Sequence, residues 1–337
     1  MKNVLFATTA LVAFAGAASA ASHGGMSPAV SFSGEMTAGY NDVIDGGMFY
    51  DANVDVKAVV DMGDNVTATL TAGIASGDET GSTLTFNPSI EIAYTGAFDA
   101  SLRVGDMNDK GASEYWYADR SGMAVDVENQ DGATDARALL QFGSFGVAVG
   151  CQLGGTNSCD GLNVGAGATF GSIKLGVGYD DGAGTQTAVT AVSADATFGS
   201  IDLGVSYATS TAEDSIGVEV GTTFGAVKVG AYYASNTVSN DAYGVSAGYS
   251  AGALSIDAYY DDNGTATYGV DLGYAVNDAL KASAGIFDDG TATMKYYAGI
   301  EYTVNSNISA TVSYANADEI SGPEFKDGIT ALITASF

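Results

Sequence analysis

The chain has 337 residues, 46% of them hydrophobic and 10% aromatic, too apolar a composition for a disordered polymer. Its 40 Asp and Glu outweigh 11 Lys and Arg to give a formal charge of −29, a field that repels nucleic acid. Glycine is abundant (46) without the strict period of collagen, and proline is scarce (3), as long sheets with unbroken backbone ladders require.

In chain order the first segment reads as an address. Lys2 supplies a positive start, Val4 to Ala15 a short apolar core, and Ala18-Ser19-Ala20 the small residues of a cleavage site. Residues 1–20 are therefore expected to be a signal peptide and 21–337 the folded domain. Neither this core nor any later stretch approaches the ~20 apolar residues of a spanning helix. The one histidine, His23, stands just beyond the cleavage site and before the first strand, so no Ser-His or Asp-His catalytic pair is expected at a barrel rim. Phosphate loops, His/Cys metal clusters and cofactor motifs are also missing from the sequence, and no enzyme is expected.

Alternating apolar and polar residues then predict strands at Ala29–Tyr40, Phe49–Met62, Val66–Ala75, Thr83–Thr95 and Phe98–Gly105. The long interruption 106–135 follows, rich in acid: Asp106, Asp109, Glu114, Asp119, Asp126, Glu128, Asp131 and Asp135, with Lys110 and Arg120. A loop of this length in an economical barrel is functional or disordered. Tyr115, Trp116 and Tyr117 either anchor it to a wall or form an interfacial aromatic cluster. Strands at Ala136–Gly143 and Gly146–Leu153 come next, ending near Cys151 and Cys159, which flank a polar hairpin loop. In an oxidising compartment these two read as a disulfide, with two free thiols as the alternative.

The second half repeats itself. Thr169-Phe170-Gly171-Ser172-Ile173-Lys174-Leu175 recurs as Thr197-Phe198-Gly199-Ser200-Ile201-Asp202-Leu203 and as Thr223-Phe224-Gly225-Ala226-Val227-Lys228-Val229, at offsets of 28 and 26 residues. Each unit is a β-hairpin, with weaker copies to the end of the chain. The whole mature chain predicts an all-β, antiparallel up-and-down barrel of about 16–20 strands.

Alternation alone does not say which face points inward. Three features favour apolar outside and polar inside. Phe170, Phe198 and Phe224 gather at one end of the apolar faces, with Tyr179, Tyr207, Tyr233, Tyr260 and Tyr314 at the other, like the two aromatic girdles of a membrane barrel. The apolar faces carry almost no charge, whereas a lipid-facing Lys or Arg would cost ~2–4 kcal/mol at mid-depth. Finally Ile329, Ala331, Ile333 and Ala335 alternate up to a terminal Phe337, which is read as an outer-membrane assembly signal for the barrel assembly machinery. With both termini periplasmic, the loops around Asp180-Asp181, Asp261-Asp262, Asp288-Asp289 and 317–327 are external and acidic. They read as solvated charge, with Ca²⁺ binding or divalent bridging to lipopolysaccharide as alternatives.

These features in this order resemble the Gram-negative general porins of the alphaproteobacterial, Rhodobacter-like type: a signal peptide, five strands ending in Leu102-Arg103-Val104-Gly105-Asp106-Met107-Asn108, one long segment, regular hairpins and Phe337. The resemblance implies a homotrimer in the outer membrane, about sixteen strands per monomer, and a third external loop folded inward to constrict the lumen. It implies passive diffusion of small hydrophilic solutes and ions, without a cofactor. Basic wall residues Lys57, Arg103, Arg137, Lys174 and Lys228 would face the acidic loop, and the acidic excess predicts mild cation selectivity. A substrate-preferring channel and a secreted β-rich adhesin are the alternative readings.

Overall fold

The computed structural model describes residues 28–44, 46–77, 85–105, 107, 111–125, 127, 134–153, 159–182, 187–291, 293–317 and 326–337. The expected signal peptide, His23, and Asp106, Asp109, Lys110, Asp126, Glu128 and Asp131 lie outside the described residues.

Alternation becomes strand wherever it was expected. The strands are β1 (Ala29–Asn41), β2 (Met48–Gly63), β3 (Val66–Gly77), β4 (Thr85–Thr95), β5 (Asp99–Gly105), β6 (Ala136–Phe142), β7 (Phe145–Leu153), β8 (Cys159–Phe170), β9 (Ile173–Asp180) and β10 (Val189–Phe198). The second ten are β11 (Ile201–Ser210), β12 (Asp214–Phe224), β13 (Val227–Asn236), β14 (Ala242–Ala251), β15 (Leu254–Asp262), β16 (Ala266–Asn277), β17 (Leu280–Asp288), β18 (Lys295–Asn305), β19 (Ile308–Ala315) and β20 (Gly328–Ser336). A single 3₁₀ turn, Ser113–Tyr115, breaks the pattern among the described residues.

Every strand pairs antiparallel with its sequence neighbours, and β1 pairs with β20, so the sheet closes with twenty strands and no free edge. The backbone of Phe337 completes the seam by exchanging both bonds with Gly34 of β1 (3.1 Å each). At the expected periplasmic end the connections are tight. Gly171, Gly199 and Gly225 take left-handed φ of 62°, 65° and 60°, the turn conformation that glycine adopts without a steric cost.

Polarity is inverted relative to a soluble barrel. On β11 the side chain of Val205 is 42% exposed, whereas its neighbour Ser206 is 1% exposed; on β20 Ile329 is 52% exposed and Thr330 is fully buried. The girdle residues Phe170, Phe198 and Phe224 point outward and are among the most exposed rings. Aliphatic chains that would lose solvation energy in water are instead placed for a hydrocarbon layer, and the small polar residues line the inside.

Candidate functional site: the lumen and its inner loop

The interior is shaped by the long connection between β5 and β6, the third at the end opposite the tight glycine turns. Residues 111–125 do not stand above the barrel. They run down inside it, bonded to lumen-facing groups on β8 to β13. The Ala112 N–H donates to Asn163 Oδ1 (2.7 Å) and the Ala118 N–H to Ser193 Oγ (3.1 Å). Ser206 Oγ donates to the Ala118 carbonyl (2.5 Å), and Ser121 N–H to Glu219 Oε1 (2.8 Å). Farther along, the Val125 N–H donates to Ser215 Oγ (3.1 Å), while Asn236 Nδ2 donates to the Gly122 carbonyl (3.0 Å). A loop buried this way must have its backbone groups satisfied, and short wall hydroxyls and amides do it.

Glycines make room for it. On the lumen faces of β7, β8 and β9, a β-carbon at Gly146, Gly167 or Gly176 would overlap Trp116. At Gly178 it would crowd Tyr117 and Val127, and at Gly204 and Gly217 it would collide with Arg120 and Met123. Above them Tyr117, Val125 and Val127 pack on Val189, Ala191 and Ala208, an apolar cluster inside an otherwise polar lumen. Tyr115-Trp116-Tyr117 therefore divides its work. Trp116 and Tyr117 are buried against the wall, and Tyr115 faces the lumen beneath Arg137, whose guanidinium lies 4.5 Å from its ring centre.

Of the loop carboxylates read from sequence, three lie among the described residues. Glu114 is half-buried, Asp119 is exposed, and Asp135 is half-buried at the end of the loop, accepting from the Leu153 N–H (3.0 Å). The ion pair that fixes the loop uses a base instead: Arg120, 8% exposed, joins Asp195 of β10. Of the predicted basic wall, Arg137 and Arg103 are direct cross-strand neighbours, with Glu91 on the far side of Arg103 and Ser89 Oγ accepting from its Nη2 (3.1 Å). Lys57 stands opposite Ser31 and Thr71, and Lys174 lies 5.9 Å from the Trp116 ring. Lys228 stands opposite Thr223 and Gly248; Glu219 is opposite Tyr232 and is taken up by the loop. The bases thus divide between the β2–β6 wall and isolated positions on β9 and β13. Carboxylates dominate β15 and β16, where Asp257 and Asp271 face each other across the ladder.

Sequence reasoning missed two features. The loop seat is written in the wall glycines, which read as turn or strand punctuation until a loop is laid on them. Five aromatics of the described strands, Phe49, Tyr232, Tyr259, Phe287 and Tyr297, sit on the inner face; Phe287 and Tyr297 stack at 5.9 Å between ring centres. The Tyr232-Tyr233, Tyr259-Tyr260 and Tyr296-Tyr297 pairs were the available signal, since a period of two sends one ring of each pair inward.

At the rim expected to be external, Cys151 and Cys159 are disulfide-bonded, with Cα atoms 5.5 Å apart, tying β7 to β8. The acidic loop pairs close their own turns: Asp180 accepts from the Gly182 N–H (2.6 Å), Asp262 from Gly264 (2.9 Å) and Asp288 from Gly290 (2.9 Å). No group of three or more metal-ligating side chains converges among the described residues.

A family model described as Gram-negative porin matches residues 7–319. Among solved structures, a triple mutant of the porin of Rhodopseudomonas blastica aligns over 92% of this chain and all of its own, at 14% identity and a TM-score of 0.48. OccK3 (OpdO) of Pseudomonas aeruginosa aligns over 91% of this chain and 95% of its own, at 9% identity and a TM-score of 0.53. The likeness to OccK3 is one of fold. No curated protein sequence matches significantly.

Proposed function

The chain belongs to the Gram-negative porin family, and from that premise we propose a constricted, mildly cation-selective diffusion pore. It is an outer-membrane β-barrel channel through which small hydrophilic solutes and ions pass passively. Diffusion through a polar lumen needs neither a catalytic group nor a cofactor.

The observation that carries the finer reading is the inner loop bonded across the wall from Asn163 to Asn236. It narrows the path and leaves Asp119 exposed beside it. Charges lining a narrow path set ion preference, and the excess of carboxylates on β12 to β16 attracts cations. The expected constriction loop at 106–135 and the basic wall of Lys57, Arg103, Arg137, Lys174 and Lys228 belong to the same proposal. So do export through a cleaved signal at 1–20, assembly as a homotrimer, and contact with lipopolysaccharide through the acidic outer loops.

Liposome swelling with sugars of rising mass tests the reading. Entry should fall steeply with solute size, as a constriction requires. Rates equal to those of protein-free liposomes would refute it.

A further inference from the structure

One lateral rung of the lumen wall has an unusual composition. Register carries it through Asp195 (β10), Gly204 (β11), Glu219 (β12), Tyr232 (β13), Gly244 (β14) and Asp261 (β15). The Arg120 guanidinium lies over Gly204 and the Tyr232 ring over Gly244, so large groups are carried on positions without a side chain. The rung beside it is bare: Gly221 and Gly230 face each other, next to Ser246. Between the two rungs is a cavity of about 590 Å³, with Lys228 and Asp202 at its edge and Tyr259 at its side.

Two observations of different kind point to a solute there. Arg120 is more than nine-tenths buried and lines this cavity, yet its Nε–H finds no acceptor among the described residues. A buried donor left unmade is costly, and a small turn of the guanidinium off Gly204 would present it to an acceptor oxygen in the cavity. Independently, once Asp195 is matched by Arg120, three carboxylates (Asp202, Glu219 and Asp261) face one ammonium, Lys228. That arrangement favours a positive group near the tyrosine faces and an anionic oxygen near Arg120 and Lys228. A β-carbon at Gly221 would meet nothing closer than 3.9 Å, so the space is open rather than filled by the wall.

We propose that this niche between β10 and β15 is a transient binding site for small amino-acid-type zwitterions, held by ammonium to Glu219 and Asp261 and by carboxylate to Arg120 and Lys228. Tyr232 and Tyr259 flank the solute's side chain. The proposal rests on the channel reading, because the solute reaches the niche only through the lumen. It adds a preference to what is otherwise a sieve.

The test is block of KCl current through single channels of the full-length protein in planar bilayers. L-phenylalanine is the probe; 3-phenyllactate lacks its ammonium and phenethylamine lacks its carboxylate. Saturable block by phenylalanine is expected at concentrations about tenfold below either analogue, the cost of one charge-assisted contact. Gly221→Leu, which fills the open floor without touching the loop seat, should remove the block while KCl still conducts. Should that variant not insert, Lys228→Met should weaken phenylalanine and leave phenethylamine unchanged. Equal block by phenethylamine, or a block untouched by both variants, would overturn the zwitterion site. Absence of any KCl current in the unmodified protein would instead overturn the channel reading itself.

Discussion

Trp116 lies across Gly146, its ring occupying the place where a β-carbon at 146 would stand. The contact joins the tip of the inner loop to a strand that follows it by thirty residues. The bare lumen faces of β7 to β9 are therefore half of an interface, whose other half is the loop.

Gly146→Val suits a strand locally but overpacks this seat, at about 1–3 kcal/mol. The barrel should still form, since the strand ladder is untouched. The loop should lift, and limited proteolysis of folded protein should cut between residues 106 and 135 markedly faster than in the parent. Unchanged cleavage would show that the loop is held elsewhere.

Arg120→Gln breaks the pair with Asp195 and leaves that carboxylate facing the lumen without its partner. Asp195 is about one-third open to solvent, so the cost should fall below the ~3–5 kcal/mol of a fully buried pair. An added lumen charge should raise cation preference, read as a larger reversal potential in a KCl gradient. Asp119→Asn should lower it. Shifts of the same sign from both variants would contradict the assignment of Asp119 and Asp195 as pathway charges.

The Lys295 ammonium stands 2.5 Å from the outer-loop carboxyl of Asp289, and both the hydroxyl and the N–H of Thr291 donate to it. The ion pair and these bonds hold its carboxyl well below the usual carboxylate range. A depressed folded value means the contact stabilises the loop above the ordinary carboxylate range and is lost only as pH falls through the depressed value. The Asp289 carboxyl resonance should stay flat through about pH 4, where a free Asp titrates. In Lys295→Met the titration should move back up towards that range, stopping short of it while the Thr291 bonds remain.

Most of the fold was legible because a strand's period of two is a local property. Val205 and Ser206 need only their own sequence to be sent to opposite faces, and twenty such alternations closed by Phe337 leave one architecture. The girdles were legible for the same reason, since Phe170, Phe198 and Phe224 recur with the hairpin. The inner loop was not, because its partners are distant. Nothing near Arg120 announces Asp195, and nothing near Gly176 announces the backbone of Trp116. Lys228 follows Glu219 closely along one hairpin, yet the register sets it opposite Thr223. The inward rings of Tyr232 and Tyr259 carry no signal of their own in the sequence, because the outward Tyr233 and Tyr260 already account for each pair as girdle residues.

The disulfide at the rim makes a separate, simple prediction. Closing a loop of about nine residues removes freedom from the unfolded chain worth about 2–3 kcal/mol. Cys151→Ser with Cys159→Ser should lower the free energy of unfolding in urea by that amount and leave ion selectivity unchanged. A change of selectivity would show that the bond also positions the lumen.

The most direct measurement of the central claim is conductance of purified, refolded protein in a planar lipid bilayer. The account predicts discrete, ohmic current steps, with Gly146→Val channels noisier in the open state as the loop leaves its seat. Silent bilayers, from protein whose strand content and heat-modifiable gel mobility prove it folded, would contradict it.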